Sequence, residues 1–164
     1  MTTQINNELI RSFIPCYDPA DVCEEKETLS VKEWIEKYRS KVKNHEDIIW
    51  LICRNDFMTD KDLRLFAVWC ARTTYSLYES PDQIDPRSVN TIDTAERYAN
   101  GEATEEELSA AWEAAREAAR EAAWEAAWGA AREDAGEAAW EAARGAARGA
   151  ARGAQITQLL TYFK

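Results

Sequence analysis

Apolar residues along this chain recur at the three- and four-residue spacing of amphipathic helices, and each recurrence follows a helix-start signal. Ser30, Thr59 and Thr104 each precede an acidic residue three positions later, the pattern of a side chain that caps the amino end of a helix. Asp85 is followed by Pro86, and proline is well tolerated at the first position of a helix. The pattern therefore predicts an all-α fold.

The helices predicted before residue 101 differ in how much of their surface is apolar. The helix over residues 30–44 has one apolar face. Residues 46–53 contain five consecutive apolar residues, which also fit a strand, and helix is preferred because no partner strand is evident. Residues 59–79 are apolar nearly all round, as in a central helix that packs against the alanine-rich segment. In the helix from residue 85, Gly101 is placed to act as the left-handed terminator.

Residues 109–154 read in fours, as pairs of alanine separated by two other residues, and 22 of these 46 residues are alanine, the strongest helix former. A row that recurs every fourth residue advances about 40° per repeat, so one straight helix cannot keep one alanine row against one partner. The motif lapses at residues 133–136, and Gly136 costs about 1 kcal/mol relative to alanine. We expect a multi-helix bundle packed around this long helix, with a bend or break near Gly136. The bulk beside the alanines is expected to come from tryptophans, namely Trp112, Trp124, Trp128 and Trp140.

The length and composition of the chain favour one domain. The 164 residues are 46% hydrophobic, which is sufficient for a buried core. We expect residues 1–28 to be irregular, residues 29–101 to form a helical bundle, and residues 104–164 to form a long alanine-rich helix or helix pair. The prediction is a single helical domain over residues 1–164.

The charge balance bears on the kind of partner. A net charge of -10 argues against direct nucleic-acid binding by phosphate neutralisation, and it is compatible with a basic protein partner. The first residues lack a basic-then-apolar signal pattern, and no apolar run approaches the length that spans a bilayer. We therefore expect a cytoplasmic protein that does not contact a membrane.

The residues that carry enzyme chemistry are scarce. No glycine precedes Gly101, which excludes a glycine-rich phosphate loop in the first hundred residues. His45 is the only histidine, so Glu-x-x-His metal motifs of helical bundles do not occur. The four cysteines have no CxxC spacing, and reduced thiols are preferred over a zinc site. No catalytic residue, cofactor or metal is predicted.

Two segments and the four-residue alanine repeat at residues 109–154 resemble a known family. Residues 63–72 read LRLFAVWCAR, and residues 84–108 read IDPRSVNTIDTAERYANGEATEEEL. These resemble the alanine-rich immunity proteins, an immunity-five-like domain of bacterial toxin–immunity systems whose relatives also occur in phages. The resemblance covers about residues 46–160 and lies in a Phe-Ala-x-x-Cys-Ala helix, an Asp-Pro-Arg helix start and a Gly-Glu turn. It implies a protein that binds and neutralises another protein.

Five residues are candidates for contact with a partner protein: Asp85, Arg87, Glu102, Trp124 and Trp128. Asp85 also has a structural interpretation as a helix cap. Arg87 has one as a link from the preceding linker, residues 80–84, to Asp93 or Glu96. Trp124 and Trp128 lie one helical turn apart, and they form an interface hot spot if exposed or core filling if buried.

The main hypothesis is a non-enzymatic protein that blocks a toxin effector or a phage or host defence component by steric occlusion. One alternative is a structural or oligomerisation module in which the alanine helix forms homo-oligomers. Another is an acidic mimic of nucleic acid that inhibits a nuclease, although the interleaved arginines weaken it.

Overall fold

A computed structural model of the chain describes residues 4–75, 84–130 and 153–163, without the side chains of residues 74, 75, 118, 119 and 121–130. These residues are mostly α-helical, with one two-stranded sheet among them, so the predicted all-α multi-helix class is confirmed. The chain divides into two units, Met1–Leu63 with Arg152–Lys164, and Arg64–Ala151. The prediction of a single domain stays a prediction.

In the part of the chain that the structure describes, the first unit contains the sheet, three short helices and a further helical segment near the end of the chain. The three helices and two strands are α1 (Asn7–Ser12), α2 (Val31–Tyr38), α3 (His45–Ile52), β1 (Gln4–Ile5) and β2 (Leu29–Ser30), with 3-10 turns at Pro19–Asp21 and Leu160–Tyr162. The strands pair antiparallel, with Gln4 opposite Ser30 and Ile5 opposite Leu29. Residues 153–159 are helical and belong to the same unit. The first 28 residues are thus more regular than predicted, because a two-residue strand and a six-residue helix are too short to give a periodic pattern.

The core of the first unit confirms the predicted apolar face of α2. Every residue of that face is buried: Val31, Trp34, Ile35, Tyr38 and Val42. The helix itself ends at Tyr38, and Asn44 instead precedes α3. The apolar run at residues 46–53 is confirmed as helix. Further core residues are Ile5, Ile10, Ile48, Leu51, Ile52, Ile156 and Leu159.

The predicted capping box at Ser30 is present at the start of α2. The Glu33 backbone N–H donates to the Ser30 hydroxyl oxygen at 3.2 Å, and the Ser30 N–H donates to Glu33 Oε2 at 2.9 Å. These reciprocal bonds satisfy two donors that a helix start leaves unpaired. They also lower the pKa of Glu33, because the Ser30 hydroxyl and N–H both stabilise its carboxylate.

An ion-pair cluster ties α1 to the loop that follows it. Arg11 donates to Glu25 at 2.6 Å and to Asp18 at 3.1 Å. The buried amide of Asn7 donates to Glu25 at 3.0 Å. The hydrogen bond from Arg11, followed by that from Asn7, lowers the pKa of Glu25 from 4.5 to about 2.

This shift predicts a pH-dependent contribution of Glu25 to stability. Because the folded pKa is the lower one, the contribution is complete above pH 4.5 and is lost as the pH falls toward about 2. We expect Glu25→Gln to lower the urea midpoint at pH 7 and to have a much smaller effect at pH 2.5. Glu36→Gln, at an exposed position of α2, is the control. An equal effect of Glu25→Gln at both pH values would contradict the linkage.

The second unit contains α5 (Pro86–Ala99), α6 (Glu105–Ala130) and most of α4 (Asp60–Tyr75), whose first residues belong to the first unit. The Thr59 hydroxyl caps α4 as predicted, because it accepts from the Asp62 N–H at 3.0 Å. In α4 the buried side chains among those described are Phe66 and Val68, and Ala67 is exposed. The prediction that this apolar helix is a central one is therefore wrong for the described part of α4, and its packing against the alanine-rich segment stays a prediction.

The turn between α5 and α6 has the predicted geometry. Gly101 has φ +77°, its N–H donates to Tyr98 O at 3.0 Å, and the Glu102 N–H donates to Arg97 O at 2.8 Å. This pair of bonds is the Schellman arrangement, which favours glycine because its central residue is left-handed. The capping box of Thr104 and Glu107 then starts α6, with bonds of 2.8 and 3.2 Å.

The packing of α5 along α6 depends on small side chains. Ala111 is the buried side chain among those described in α6, at 7% exposure, and Thr94 of α5 is also buried. The Thr91 hydroxyl lies 2.7 Å from the Ala111 carbonyl oxygen and 2.9 Å from the Arg87 carbonyl oxygen, and it donates its one proton to either. Small residues at a helix contact permit this close approach of the two backbones.

We predict that Ala111→Leu destabilises the protein by about 1–3 kcal/mol, because the larger side chain overfills this contact. The matched control is Ala110→Leu at the neighbouring exposed position, where a change within about 0.5 kcal/mol is expected. Chemical denaturation of both variants measures the difference. Equal stability of the two would show that α5 and α6 are not closely packed at Ala111.

The described parts of the alanine repeat, residues 109–130 and 153–154, are helical. The predicted bend or break near Gly136 and the side chain of Trp140 lie outside the described residues.

Candidate functional site

Two of the predicted site residues form a local pair at the start of α5. Asp85 Oδ1 accepts from the Arg87 backbone N–H at 2.8 Å, and Arg87 Nη2 donates to Asp85 Oδ2 at 2.8 Å. These two bonds lower the pKa of Asp85, with the Arg87 side chain as the main cause. The predicted cap is therefore confirmed, and its carboxylate is held charged by its own neighbour.

The predicted partners of Arg87 bind a different cation. Arg72 of α4 donates to Asp93 at 2.9 Å and also to Glu96, both of which lie on α5. The expectation that Arg87 ties the linker to Asp93 or Glu96 is therefore wrong, because the cation that binds these carboxylates is Arg72. Arg72 joins α4 to α5, whereas Asp85 and Arg87 organise the start of α5.

Glu102 lies at the opposite end of α5 from Asp85 and Arg87. The intervening helix has 14 residues, which corresponds to about 21 Å. The Glu102 side chain is exposed, and its carbonyl oxygen accepts from Arg97 Nη2 at 3.1 Å. The same Arg97 atom lies 3.4 Å from Glu107. The structure therefore does not bring Glu102 together with the Asp85–Arg87 pair.

Trp124 and Trp128 lie on the helical backbone of α6, but their side chains are outside the described residues. Their role as a hot spot or as core filling stays a prediction.

Trp112 is an exposed tryptophan in the part of α6 whose side chains the structure describes, and sequence reasoning missed its exposure. Its exposure is 52%, so the expectation that it fills space beside the alanines is wrong. The reason is geometric: a residue next to Ala111 points about 100° away from it around the helix axis, and Ala111 is the buried position. Knowing which tetrad row faces α5 would have identified Trp112, and the repeat alone does not reveal that row.

The surroundings of Trp112 combine this apolar ring with charge. The guanidinium of Arg116 lies over the ring, 5.3 Å from its centroid. Glu105 and Ser109 share the face of Trp112, because they precede it by seven and three residues. Exposed glutamates lie beside this row at residues 113 and 117. We call this set the Trp112 surface: Glu105, Ser109, Trp112, Glu113, Arg116 and Glu117.

The start of α6, which contributes Glu105 to this surface, is strongly acidic. Residues 102–113 include five glutamates and no lysine or arginine. The pKa of Glu107 is lowered chiefly by the Thr104 backbone N–H, and the pKa of Glu106 is lowered by backbone and Thr104 hydrogen bonds. Both carboxylates are therefore charged at neutral pH. Negative charge at this position also complements the helix dipole.

Other kinds of site receive no support from the described ranges. Within residues 4–75, 84–130 and 153–163, no group of three histidine, cysteine or acidic side chains is arranged to hold a metal ion. Among those residues no helix combines the length and apolar character that crossing a membrane requires.

Comparison of the chain with protein-family models, curated proteins and solved structures found no match. The resemblance to alanine-rich immunity proteins accordingly stays a prediction.

Proposed function

We propose that this protein is a non-enzymatic neutraliser that binds another protein through the Trp112 surface and blocks it by steric occlusion. The partner is a toxin effector or a phage or host defence component with a basic contact surface, met in the cytoplasm. The proposal follows the family resemblance of residues 63–108 and adds a specific surface to it.

The observation that carries the proposal is the exposure of Trp112. Tryptophan is the residue type most enriched among the energetic hot spots of protein interfaces, because one rigid side chain buries a large area on binding. At 52% exposure Trp112 has much of that area still available. The Arg116 guanidinium over its ring limits the motion of the side chain, which reduces the entropy lost on binding.

The glutamates around Trp112 account for the choice of a basic partner. They form a partial rim of negative charge, and rim charges of this kind raise association rates and select partners of opposite sign. The small-residue contact between α5 and α6 supports the exposed face, because it fixes the rotation of α6 about its axis.

The test is site-specific photo-cross-linking in the cell of origin. A photoreactive phenylalanine analogue at position 112 is expected to capture one defined protein, and the same analogue at the exposed Ala110 position is expected to capture much less of it. The captured protein is then produced alone and together with the neutraliser. The proposal expects growth inhibition in the first case and its relief in the second.

The binding constant of the captured protein gives the quantitative prediction. Trp112→Ala should weaken binding by about 30-fold or more, the effect of losing one hot-spot residue, while thermal stability changes little because the side chain is exposed. Ala110→Ser is the control. Unchanged affinity of the Trp112→Ala protein, or growth inhibition that coexpression does not relieve, would reject the proposal. Cross-links solely between copies of the chain would favour an oligomerisation module instead.

A further inference from the structure

A second cluster of charge and aromatic rings lies in the first unit, around the half-buried Arg54. The Arg54 guanidinium is 4.2 Å from the centroid of the Trp50 ring and 4.5 Å from that of the Phe13 ring. Phe13 in turn contacts Phe57 edge-on, with the ring centroids 6.0 Å apart, and Phe57 is buried. The aromatic rings therefore hold the guanidinium in a defined position.

Arg54 has no anionic partner within the described part of the chain. Its Nε is buried and donates no hydrogen bond. Other cations of the same unit, such as Arg11 and Lys37, pair with two carboxylates each. An unpaired guanidinium is notable in a protein with a net charge of -10, because carboxylates outnumber cations. Its buried donor without an acceptor also lowers stability.

The residue that follows Phe13 is strained and exposed. Ile14 has φ +54° and is 87% exposed. It occupies the left-handed position after α1, with its N–H donating to Arg11 O at 3.0 Å, a place where glycine or asparagine is preferred. A β-branched side chain at this position costs folding free energy, and its exposure means that the fold gains little packing in return. Such strain is characteristic of functional sites.

We propose that Arg54 binds an aspartate or glutamate side chain of a partner protein, and that Trp50 and Ile14 contact apolar residues next to that carboxylate. The guanidinium presents donors in a planar fork that matches a carboxylate. Trp50 remains 39% exposed beside it. The net charge of -10 disfavours a polyanionic nucleic acid, whereas one carboxylate in an apolar segment suits this mixture of charge and apolar surface. The inference concerns the first unit and does not rest on the Trp112 surface.

The test uses the full chain and two capped tetrapeptides, acetyl-Leu-Leu-Asp-Leu-amide and its asparagine counterpart. The Nε–Hε resonance of Arg54 is followed by NMR and assigned by its absence from Arg54→Lys. The aspartate peptide is expected to shift this resonance saturably and to bind at least about tenfold more tightly than the asparagine peptide, because a charge-assisted bond is lost with asparagine.

Two variants separate recognition from a structural role of the arginine. Arg54→Lys keeps the charge but not the fork, and it should lower affinity for the aspartate peptide about tenfold or more. Because this variant lacks the arginine resonance, the affinities of all variants are compared through the indole N–H resonance of Trp50. Arg64→Gln is the control, since Arg64 also lies over one aromatic ring, that of Tyr98 at 4.9 Å, but in the second unit. It should leave affinity unchanged.

Ile14→Gly gives a readout that a purely structural site would not show. Glycine removes the backbone strain and should raise the melting temperature, while loss of the apolar side chain should weaken peptide binding about threefold or more. Opposite directions of the two effects support the proposal.

Three results would overturn the inference. They are equal affinity for the two peptides, equal loss of affinity in Arg54→Lys and Arg64→Gln, and tighter binding of inorganic phosphate or a single-stranded oligonucleotide than of the aspartate peptide. The last result would identify a phosphate site rather than a carboxylate site.

Discussion

The close packing of α5 on α6 is the contact on which the second unit depends. An alanine-rich helix buries little area by itself, so it must either approach its neighbour closely or gain stability elsewhere. Here the approach is close enough for the Thr91 hydroxyl to reach the Ala111 carbonyl oxygen. The Schellman turn at Gly101 and the capping box at Thr104 set the direction in which α6 leaves α5. These local motifs make the close contact possible.

This contact also determines which side chains are available for binding. Burial of Ala111 turns Trp112 outward, with Glu105 on the same face and Glu113 and Glu117 exposed beside it. The tetrad repeat therefore has two uses in the proposed neutraliser. Its alanines permit close helix packing, and its larger residues supply the chemistry of the exposed face. The same argument explains why Asp85, Arg87 and Glu102, which organise helix ends, are less suited to carry a shared binding site.

The two surfaces proposed for binding have opposite chemistry. On the Trp112 surface an aromatic ring is accompanied mainly by carboxylates, whereas in the first unit two aromatic rings hold the unpaired Arg54. Both surfaces combine a rigid aromatic ring with a charge held in a fixed position. Tryptophan and arginine, which occur in both, are enriched among interface hot spots. The cation of Arg54 lies in a protein whose other charges are mostly negative. A partner that binds there has to supply an anion.

The sequence by itself determined the helix class and most helix starts, because caps at Ser30, Thr59, Asp85 and Thr104 are interactions within one turn of the chain. It did not determine the pairing of β1 with β2, since that contact joins segments about 25 residues apart. The predicted partner of Asp93 and Glu96, Arg87, was also wrong, because Arg72 binds both carboxylates from another helix. The exposure of Trp112 and the lack of a carboxylate partner for Arg54 among the described residues were likewise decided by the tertiary structure. Local hydrogen bonds can be read from residue spacing, whereas burial and charge pairing depend on which faces of distant segments meet.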